Sequence, residues 1–182
     1  MKEGYRHRKY EVLEYDPAWE QQFKAEASTL AALFQDSALS IEHIGSTAVP
    51  GLASKPTLDI LITVDNLTVV DGYQDAMKRA GYEHLGEYVT NNSQLFIRQE
   101  NNVRLSNVHI FPADHRHVAE MLVVRDYLRS HPAEVKQYSK LKRELYKKYP
   151  DDYSTYRKKK DKYMTDLLQR ANNSDSLSTV TP

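Results

Sequence analysis

The sequence contains no cysteine, which excludes disulfide bonds, thiolate catalysis and cysteine-ligated zinc. It has no run of about eighteen apolar residues and no apolar N-terminal segment of the kind that directs export. It also lacks an excess of charge of one sign, because 25 basic residues balance 25 acidic residues. A membrane span and general nucleic-acid binding are therefore not expected. We expect a protein of the cytoplasm.

The apolar residues that are present suffice for one domain, because 40% of the 182 residues are hydrophobic. A helix is predicted after Asp16, a typical N-cap, and Pro17, a typical first helical residue. Its apolar stripe comprises Trp19, Phe23, Leu30 and Phe34. Strands are predicted in YEVLEY, ALSIEHIG, TLDILITV, YEHLGEYV, SQLFIRQ and VRLSNVHIF, and a second helix in NLTVVDGYQDAMKRAG.

Beyond residue 112 only helices are predicted, in three segments that Pro132 and Pro150 divide. The sequence therefore predicts an α+β fold, with a mixed β-sheet and flanking helices over residues 10–112 and a C-terminal helical segment over residues 113–171. One domain would cover residues 1–171. Residues 172–182, rich in Ser, Thr and Asn, would form a flexible tail.

Asp59 lies among apolar neighbours in the predicted strand TLDILITV, on the same face as Leu61. A carboxylate there needs a hydrogen bond, an ion pair or a metal ion, and a salt bridge with Lys55 would be the purely structural explanation. The preceding strand ends at Gly45 and Ser46, where successive N–H groups and a hydroxyl can hold a phosphate. With Lys55 as a cation, this loop predicts a site for a triphosphate and its divalent ion.

Several stretches together resemble the GrpB-like family over about residues 10–171: IEHIGSTAVPGLASKPTLDILI, VHIF, VRDYLRSHP, YSKLK and YRKKKDKYM. The resemblance implies the nucleotidyltransferase fold of the polymerase-β-like superfamily, and kinship with a domain fused to some bacterial dephospho-coenzyme A kinases. In that fold a Gly-Ser turn holds the phosphates of a nucleotide, and carboxylates on the next strand hold magnesium. The resemblance assigns the turn to Gly45 and Ser46 and the first carboxylate to Asp59, and Thr47 is a further candidate for binding phosphate.

The sequence departs from the superfamily pattern at Leu61, where active nucleotidyltransferases have a second acid. Because leucine cannot bind a cation, this departure weakens the case for two-metal phosphoryl transfer. In place of a third carboxylate on a later strand, the sequence has Asn107 and His109. A mixed set of Asp59, Glu42 and His109 would suit a transition metal such as manganese or zinc.

Histidines give a further candidate catalytic set. His43 could act with Asp59 and His109, either in nucleotidyl transfer or in metal-dependent hydrolysis of a phosphoester. A neutral His43 that only orients the loop is the alternative. The sequence alone leaves both roles open.

Two features of the helical segment carry charge. Arg125 and Arg129 are four residues apart, so they share a helix face and could bind phosphate, although an Arg–Asp network that docks the helix on the sheet is equally consistent. The stretches LKRELYKK and YRKKKDKY are basic and rich in tyrosine. Because acidic residues are interleaved, a solvated helix face is favoured over nucleic-acid binding, and the tyrosines are expected to pack helix on helix.

We therefore expect a nucleotidyltransferase-like protein that binds a nucleoside triphosphate and a divalent cation, magnesium or manganese with zinc as the alternative. The acceptor of a nucleotidyl group would be a small molecule or a protein. A non-catalytic module that binds a nucleotide or a phosphorylated metabolite of the coenzyme A type is the first alternative. A metal-dependent phosphoester hydrolase is the second.

Overall fold

The computed structural model describes residues 10–178. Within this part, the strands are β1 (Ser40–Ile44), β2 (Leu58–Val64), β3 (Glu83–Gly86), β4 (Gln94–Glu100) and β5 (Val103–Pro112). The helices are α1 (Ala18–Phe34), α2 (Gln74–Arg79), α3 (Arg116–Ser130), α4 (Pro132–Lys148) and α5 (Tyr153–Ser178). Short 3₁₀ turns cover Gln35–Ser37, Ser46–Ala48 and Leu67–Tyr73. The predicted α+β fold with a C-terminal helical segment is confirmed.

The strands form one mixed sheet in the order β1-β2-β5-β4-β3. Strands β2 and β5 run parallel, whereas the other neighbouring pairs are antiparallel. Strands β4 and β5 form a hairpin that turns at Asn101 and Asn102, both of which have a positive φ that asparagine tolerates better than most residues. Asp59, near the start of β2, pairs with Ile44 on one side and with Asn107 on the other. The start of β2 therefore lies where β1, its following turn and β5 meet.

One face of the sheet packs against α1 and α2. The buried residues of α1 in this core are Trp19, Leu30 and Phe34, and those of β2 are Leu58, Ile60, Ile62 and Val64. Leu61 points to the other face, where it packs with Phe111 and with Val118 of α3. The alternation predicted for β2 is thus confirmed, and it places Asp59 on the face that the C-terminal helices cover.

A buried carboxylate ties α1 to the sheet. Glu26 accepts hydrogen bonds from the Tyr82 hydroxyl (2.8 Å) and from the Ser106 hydroxyl of β5 (2.5 Å). Its other oxygen pairs with the Arg98 guanidinium of β4. Because three groups satisfy the carboxylate, it can stay in the interior without an unpaired charge.

The loop between β1 and β2 is fixed by the C-terminal helices. Val49 and Leu52 of the loop share a core with Leu128 of α3, Tyr138 of α4 and Leu167 of α5. Polar residues of the loop consequently line the space between the sheet and the helices. No helix within residues 10–178 combines the length and the apolar character needed to cross a membrane.

Two N-terminal predictions need correction. Helix α1 begins at Ala18 rather than at Pro17, although Asp16 still accepts a hydrogen bond from the Ala18 N–H (2.9 Å). The segment YEVLEY forms an isolated bridge between Leu13 and Ser54 rather than a strand, because the chain turns into α1 directly afterwards.

Two helical predictions also differ from the structure. The segment Leu67–Tyr73 forms a 3₁₀ turn instead of the first part of an α-helix, which fits its run of β-branched residues. Helix α5 continues to Ser178, so residues 172–178 are helical where a flexible tail is predicted. No glycine or proline interrupts this helix. Residues 1–9 and 179–182, to which the predicted domain and tail extend, lie outside the described part.

Candidate functional site

The turn after β1 folds directly over Asp59. Gly45 adopts φ 70° and ψ −163°, a conformation that is essentially restricted to glycine. A Cβ at this position would lie 2.5 Å from Asp59 Oδ2. The absence of a side chain therefore lets the backbone of the Gly-Ser turn approach the carboxylate closely.

Neighbours on β5 keep Asp59 ionised. Asn107 Nδ2 donates a hydrogen bond to Asp59 Oδ1 (2.7 Å), and His109 Nε2 lies 3.7 Å from the same oxygen. Burial alone would raise the pKa of Asp59, but His109, Asn107 and then the positive charge of Lys55 outweigh it and lower the pKa to about 2. The side chain is 32% exposed. Asp59 thus presents a permanent negative charge to the space under the helices.

Ser46, the other residue of the turn, contacts a buried lysine of α4. Lys142 Nζ lies 2.5 Å from Ser46 Oγ and donates a hydrogen bond to the Ala53 carbonyl (2.9 Å). Lys142 is only 2% exposed, and its Nζ lies 4.3 Å from the centre of the Tyr138 ring. This contact joins the turn to the helical segment, although 96 residues separate the two partners.

A cavity of about 280 Å³, here named the cationic cavity, opens beside this contact. Asp59, Asn107 and His109 form its sheet side, and residues of α4 and α5 form its helical side. Its lining includes Ser46 and the charged residues Lys55, Asp59, Lys142, Arg157 and Lys160. Because four basic side chains face one carboxylate, the cavity favours an anion.

Lys55 connects the loop to α5 at the rim of the cationic cavity. Its Nζ donates a hydrogen bond to the Tyr153 hydroxyl (2.5 Å) and lies 4.3 Å from the centre of that ring. Tyr153 in turn packs edge-on against Tyr10 (5.1 Å) and stacks with Tyr156 (6.1 Å). The prediction that tyrosines pack helix on helix is confirmed by Tyr138 of α4, which stacks on Tyr163 of α5 with 4.9 Å between the ring centres.

A second cavity of about 420 Å³, here named the apolar cavity, shares Ser46, Asp59 and His109 with the first. Its apolar lining comprises Ile44, Met121, Val124, Leu128, Met164 and Leu168. The three shared polar residues therefore lie at the junction of a charged space and an apolar one. A ligand with a phosphate end and an apolar or aromatic end could occupy both.

The two arginines of α3 contact the sheet and the loop. Arg125 Nη1 donates to Glu42 Oε2 (2.7 Å) and to the His43 carbonyl (3.2 Å), while its Nε donates to Asp126 (2.7 Å). Arg129 Nε donates to the Ala48 carbonyl (3.0 Å). The structure thus shows an arginine network in which Arg125 docks α3 on β1 through Glu42 and also pairs with Asp126 of its own helix. Neither arginine lines the cationic cavity, whereas Arg125 lines the apolar cavity.

His43 lies on the opposite face of the sheet from Asp59. It pairs with Ile60 in the register of β1 and β2, and its ring stacks on Phe23 of α1 at 4.5 Å. Its Nε2 is 2.9 Å from the Thr47 hydroxyl. Burial lowers the pKa of His43 to about 4, so the ring is neutral at physiological pH. The structure therefore does not bring His43 or Thr47 to the carboxylate, and it matches the loop-orienting alternative.

The side chains do not fit a resident metal ion. Among residues 10–178, no three His, Cys, Asp or Glu side chains are grouped so that they could hold one. Glu42, one of the predicted ligands, is paired with Arg125 instead. Leu61 at the second acid position is packed among apolar side chains. Of the predicted metal set, only Asp59 and His109 are close to each other.

Sequence reasoning missed the basic residues that α4 and α5 contribute. Lys142, Arg157 and Lys160 belong to stretches that were interpreted as solvated helix faces, yet all three line the cationic cavity. A signal for Lys142 is present in the sequence, because it follows Val135 by seven residues and Tyr138 by four. These spacings put the lysine on the apolar stripe of its helix, where a charged side chain calls for a specific partner.

Most of the chain is similar to known proteins. The chain is 34% identical over 167 residues to the UPF0157 protein YqkA of Bacillus subtilis. The match covers 92% of this chain but 48% of YqkA, so the chain spans about half the length of this relative. The crystal structure of the conserved protein GrpB from Enterococcus faecalis matches with a TM-score of 0.86 at 35% identity, covering 90% of this chain and 98% of that one.

Part of the chain is also similar to a larger protein. The identity to the dephospho-CoA kinase of Mycobacterium tuberculosis is 35% over 82 residues, which is 43% of this chain and 20% of that protein. The predicted kinship with such kinases is supported over this part. A family model described as GrpB protein matches residues 9–170. The chain therefore belongs to the GrpB family.

Proposed function

We propose that the protein binds a nucleotide, with its phosphates in the cationic cavity and its nucleoside in the apolar cavity. The observation that carries this proposal is the convergence of Ser46 with basic side chains from the loop and two helices. Phosphate is the common biological anion that such a set of ammonium, guanidinium and hydroxyl groups binds.

The charge balance of the cationic cavity supports this proposal even if Lys142 is neutral. Burial, and next the positive charges of Lys160 and Lys55, hold the pKa of Lys142 well below its usual value. Lys55, Lys160 and Arg157 still supply three cations against the single carboxylate of Asp59. A bound phosphate would therefore meet a net positive field.

The apolar cavity supports a nucleoside at the other end of the ligand. Met121 and Met164 lie in its lining, and thioethers make favourable contacts with the edges of aromatic rings. Glu120, His117 and Thr165 supply polar atoms in the same lining. Because the two cavities meet at Ser46 and Asp59, a nucleotide could span both.

A divalent cation would come with the nucleotide as part of the ligand. Magnesium commonly takes one or two protein carboxylates and obtains its other ligands from phosphates and water. Asp59, ionised and partly exposed, supplies one such carboxylate. On this proposal magnesium or manganese strengthens binding of a triphosphate but is not required for binding of phosphate itself.

The partial similarity to dephospho-CoA kinase favours a particular alternative ligand. Dephospho-coenzyme A is a nucleotide derivative, so it offers both a phosphate group and an organic end. The shared stretch of 82 residues supports its inclusion among the ligands to be tested.

Nucleotidyl transfer to a small molecule or a protein is the second candidate function. The observation that favours it is Asp59, an ionised carboxylate that lies under the Gly-Ser turn. Release of pyrophosphate from a nucleoside triphosphate would separate transfer from passive binding, because a binding module leaves the triphosphate intact.

Thermal unfolding with ligand tests the binding proposal. The ligands are inorganic tripolyphosphate, ATP, GTP and dephospho-coenzyme A, each with Mg²⁺, Mn²⁺, Zn²⁺ or EDTA. A ligand at about 100 times its Kd stabilises the folded state by about 2.7 kcal/mol. For a domain of this size that corresponds to an increase in Tm of roughly 5–11 °C. No shift with any ligand and any ion would refute nucleotide binding.

The matched variants are Lys160→Met and Lys159→Met. They remove the same charge from adjacent positions of α5, but only Lys160 lines the cationic cavity, whereas Lys159 is exposed. Lys160→Met should weaken tripolyphosphate binding about tenfold, or about 1.4 kcal/mol, while Lys159→Met should not. Equal losses in both variants would show that binding reflects general surface charge rather than this cavity.

A further inference from the structure

We propose that Ser46 is a nucleophile and that Lys142 is the base that accepts its proton. Nothing in the binding proposal requires this chemistry. The choice of a phosphorus electrophile rests on the proposed nucleotide binding, because the phosphate groups would lie beside Ser46. The pairing of the two residues rests on geometry alone.

The distance and the burial of the two partners fit this role. Lys142 Nζ and Ser46 Oγ are 2.5 Å apart, within the reach needed for direct proton transfer. Lys142 is almost completely buried, whereas Ser46 is partly exposed and lines both cavities. The base is thereby shielded from water while the hydroxyl stays open to a ligand. Pairs of serine and lysine are a known variant of the serine nucleophile and its base.

The surroundings of Lys142 favour its neutral form, which is the form that can accept a proton. Its Nζ also contacts the Ala53 carbonyl and the face of the Tyr138 ring. The cations Lys160 of α5 and Lys55 of the loop oppose protonation. Asp59 of β2 favours protonation, but burial and the two cations prevail, and the pKa of Lys142 falls well below its usual value.

The proposed step is balanced without an added reagent. Ser46 Oγ attacks a phosphorus atom of the bound nucleoside triphosphate, and an Oγ–P bond forms while the bridging P–O bond breaks. Attack on the terminal phosphorus releases the nucleoside diphosphate, and attack on the innermost phosphorus releases pyrophosphate. The serine proton passes to Lys142 Nζ, which becomes an ammonium group. The leaving group departs with the bonding electron pair, and the cations of the cavity offset its charge. Water or an acceptor hydroxyl then attacks the same phosphorus and loses its proton to solvent, while the Oγ–P bond breaks and the Lys142 ammonium returns its proton to Ser46 Oγ.

Covalent labelling of the full chain tests the nucleophile. The probes are a fluorophosphonate, which reports an activated serine independently of nucleotide binding, and ATP with or without Mg²⁺. Intact mass and peptide mapping should place the adduct on Ser46. With ATP, the added mass distinguishes a phosphoryl group, left by attack on the terminal phosphorus, from an adenylyl group, left by attack on the innermost phosphorus. Either product supports the proposal. Labelling should be lost in Ser46→Ala.

Two variants of Lys142 distinguish a role as a base from a role as a positive charge. Lys142→Met removes both properties, whereas Lys142→Arg keeps the charge but cannot accept a proton at accessible pH. Both should slow labelling at least a hundredfold, while the exposed control Lys140→Met should match the wild type. Labelling of Lys142→Arg at the wild-type rate would overturn the role of the base.

The wild-type protein provides a measurement that does not depend on folding of the variants. Its rate of fluorophosphonate labelling should rise with pH as Lys142 loses its proton and then become constant. A rate independent of pH, or no labelling of Ser46 by either probe, overturns the proposal. If tripolyphosphate still raises the Tm in that case, nucleotide binding stands and only the covalent chemistry fails.

Discussion

Replacing Gly45 with alanine should destabilise the protein by about 2–6 kcal/mol. The backbone conformation, φ 70° and ψ −163°, costs about 1–3 kcal/mol for a residue that carries a Cβ. The new Cβ would also lie 2.5 Å from Asp59 Oδ2 and 2.9 Å from Asp59 Cβ, and overpacking of this kind costs about 1–3 kcal/mol. The total is a large part of the roughly 5–15 kcal/mol that stabilises an ordinary domain.

Substitutions at two other glycines serve as controls for the cost of the backbone conformation and the cost of the overlap with Asp59. Gly86 also has a positive φ, 68°, but an added Cβ would meet nothing within 4 Å, so Gly86→Ala should show only the cost of the backbone. Gly72 has open space and no positive φ, so Gly72→Ala should be close to neutral. The difference between Gly45→Ala and Gly86→Ala therefore contains the overlap with Asp59 together with the effect of the ψ of Gly45, −163°.

Urea denaturation followed by circular dichroism gives the free energies of unfolding. A double-mutant cycle adds Asp59→Gly, which removes all three Asp59 atoms in the overlap, so the double variant should lose about 1–3 kcal/mol less than the sum of the single variants. Additive losses, or a Gly45→Ala loss no greater than that of Gly86→Ala, would refute the close packing of the turn on Asp59.

Three further measurements follow from buried charges. The pKa of Asp59, about 2 against an ordinary 3.8, means that its stabilisation is present above about pH 4 and is lost as the pH falls towards 2, so Asp59→Asn should flatten acid unfolding in this range. Burial lowers the pKa of His43 from 6.5 to about 4, so the unfolded chain takes up a proton at higher pH than the folded protein, and stability falls as the pH decreases from 6.5 to 4. The NMR resonances of His43 in the folded protein should therefore not titrate between about pH 7 and pH 5. Glu26→Ala leaves Arg98 without its buried partner and should cost about 2–4 kcal/mol by urea denaturation, whereas Glu20→Ala, at an exposed pair, should give no measurable loss.

The sheet around the site was predictable because its strands have strong local signals. The alternation in β2 places Leu58, Ile60 and Ile62 on one face and Asp59 on the other, as the sequence predicts. The Gly-Ser turn was found for the same reason, since it ends one apolar strand and precedes another. The register between β1 and β2 was not predictable, and that register puts His43 on the far side of the sheet.

The helical side of the site depends on long-range packing. Whether a lysine in a basic helix faces solvent or a core is decided by how that helix docks, and a single sequence shows this only indirectly. Arg125 illustrates the same limit, because its partner Glu42 lies 83 residues earlier in the chain. Two interpretations of the arginine pair were equally consistent with its spacing, and only the docked helix distinguishes them.

The contact between Ser46 and Lys142 also sets the order in which the site can be completed during synthesis. The strands that hold Asp59 and Asn107 leave the ribosome before α4 and α5 do, so the sheet can begin to form while the lysine side is still missing. The cationic cavity closes only after residue 160 has emerged, because Lys142, Arg157 and Lys160 supply its helical side. The lining of the cationic cavity is therefore complete only when nearly all of the described part has been made.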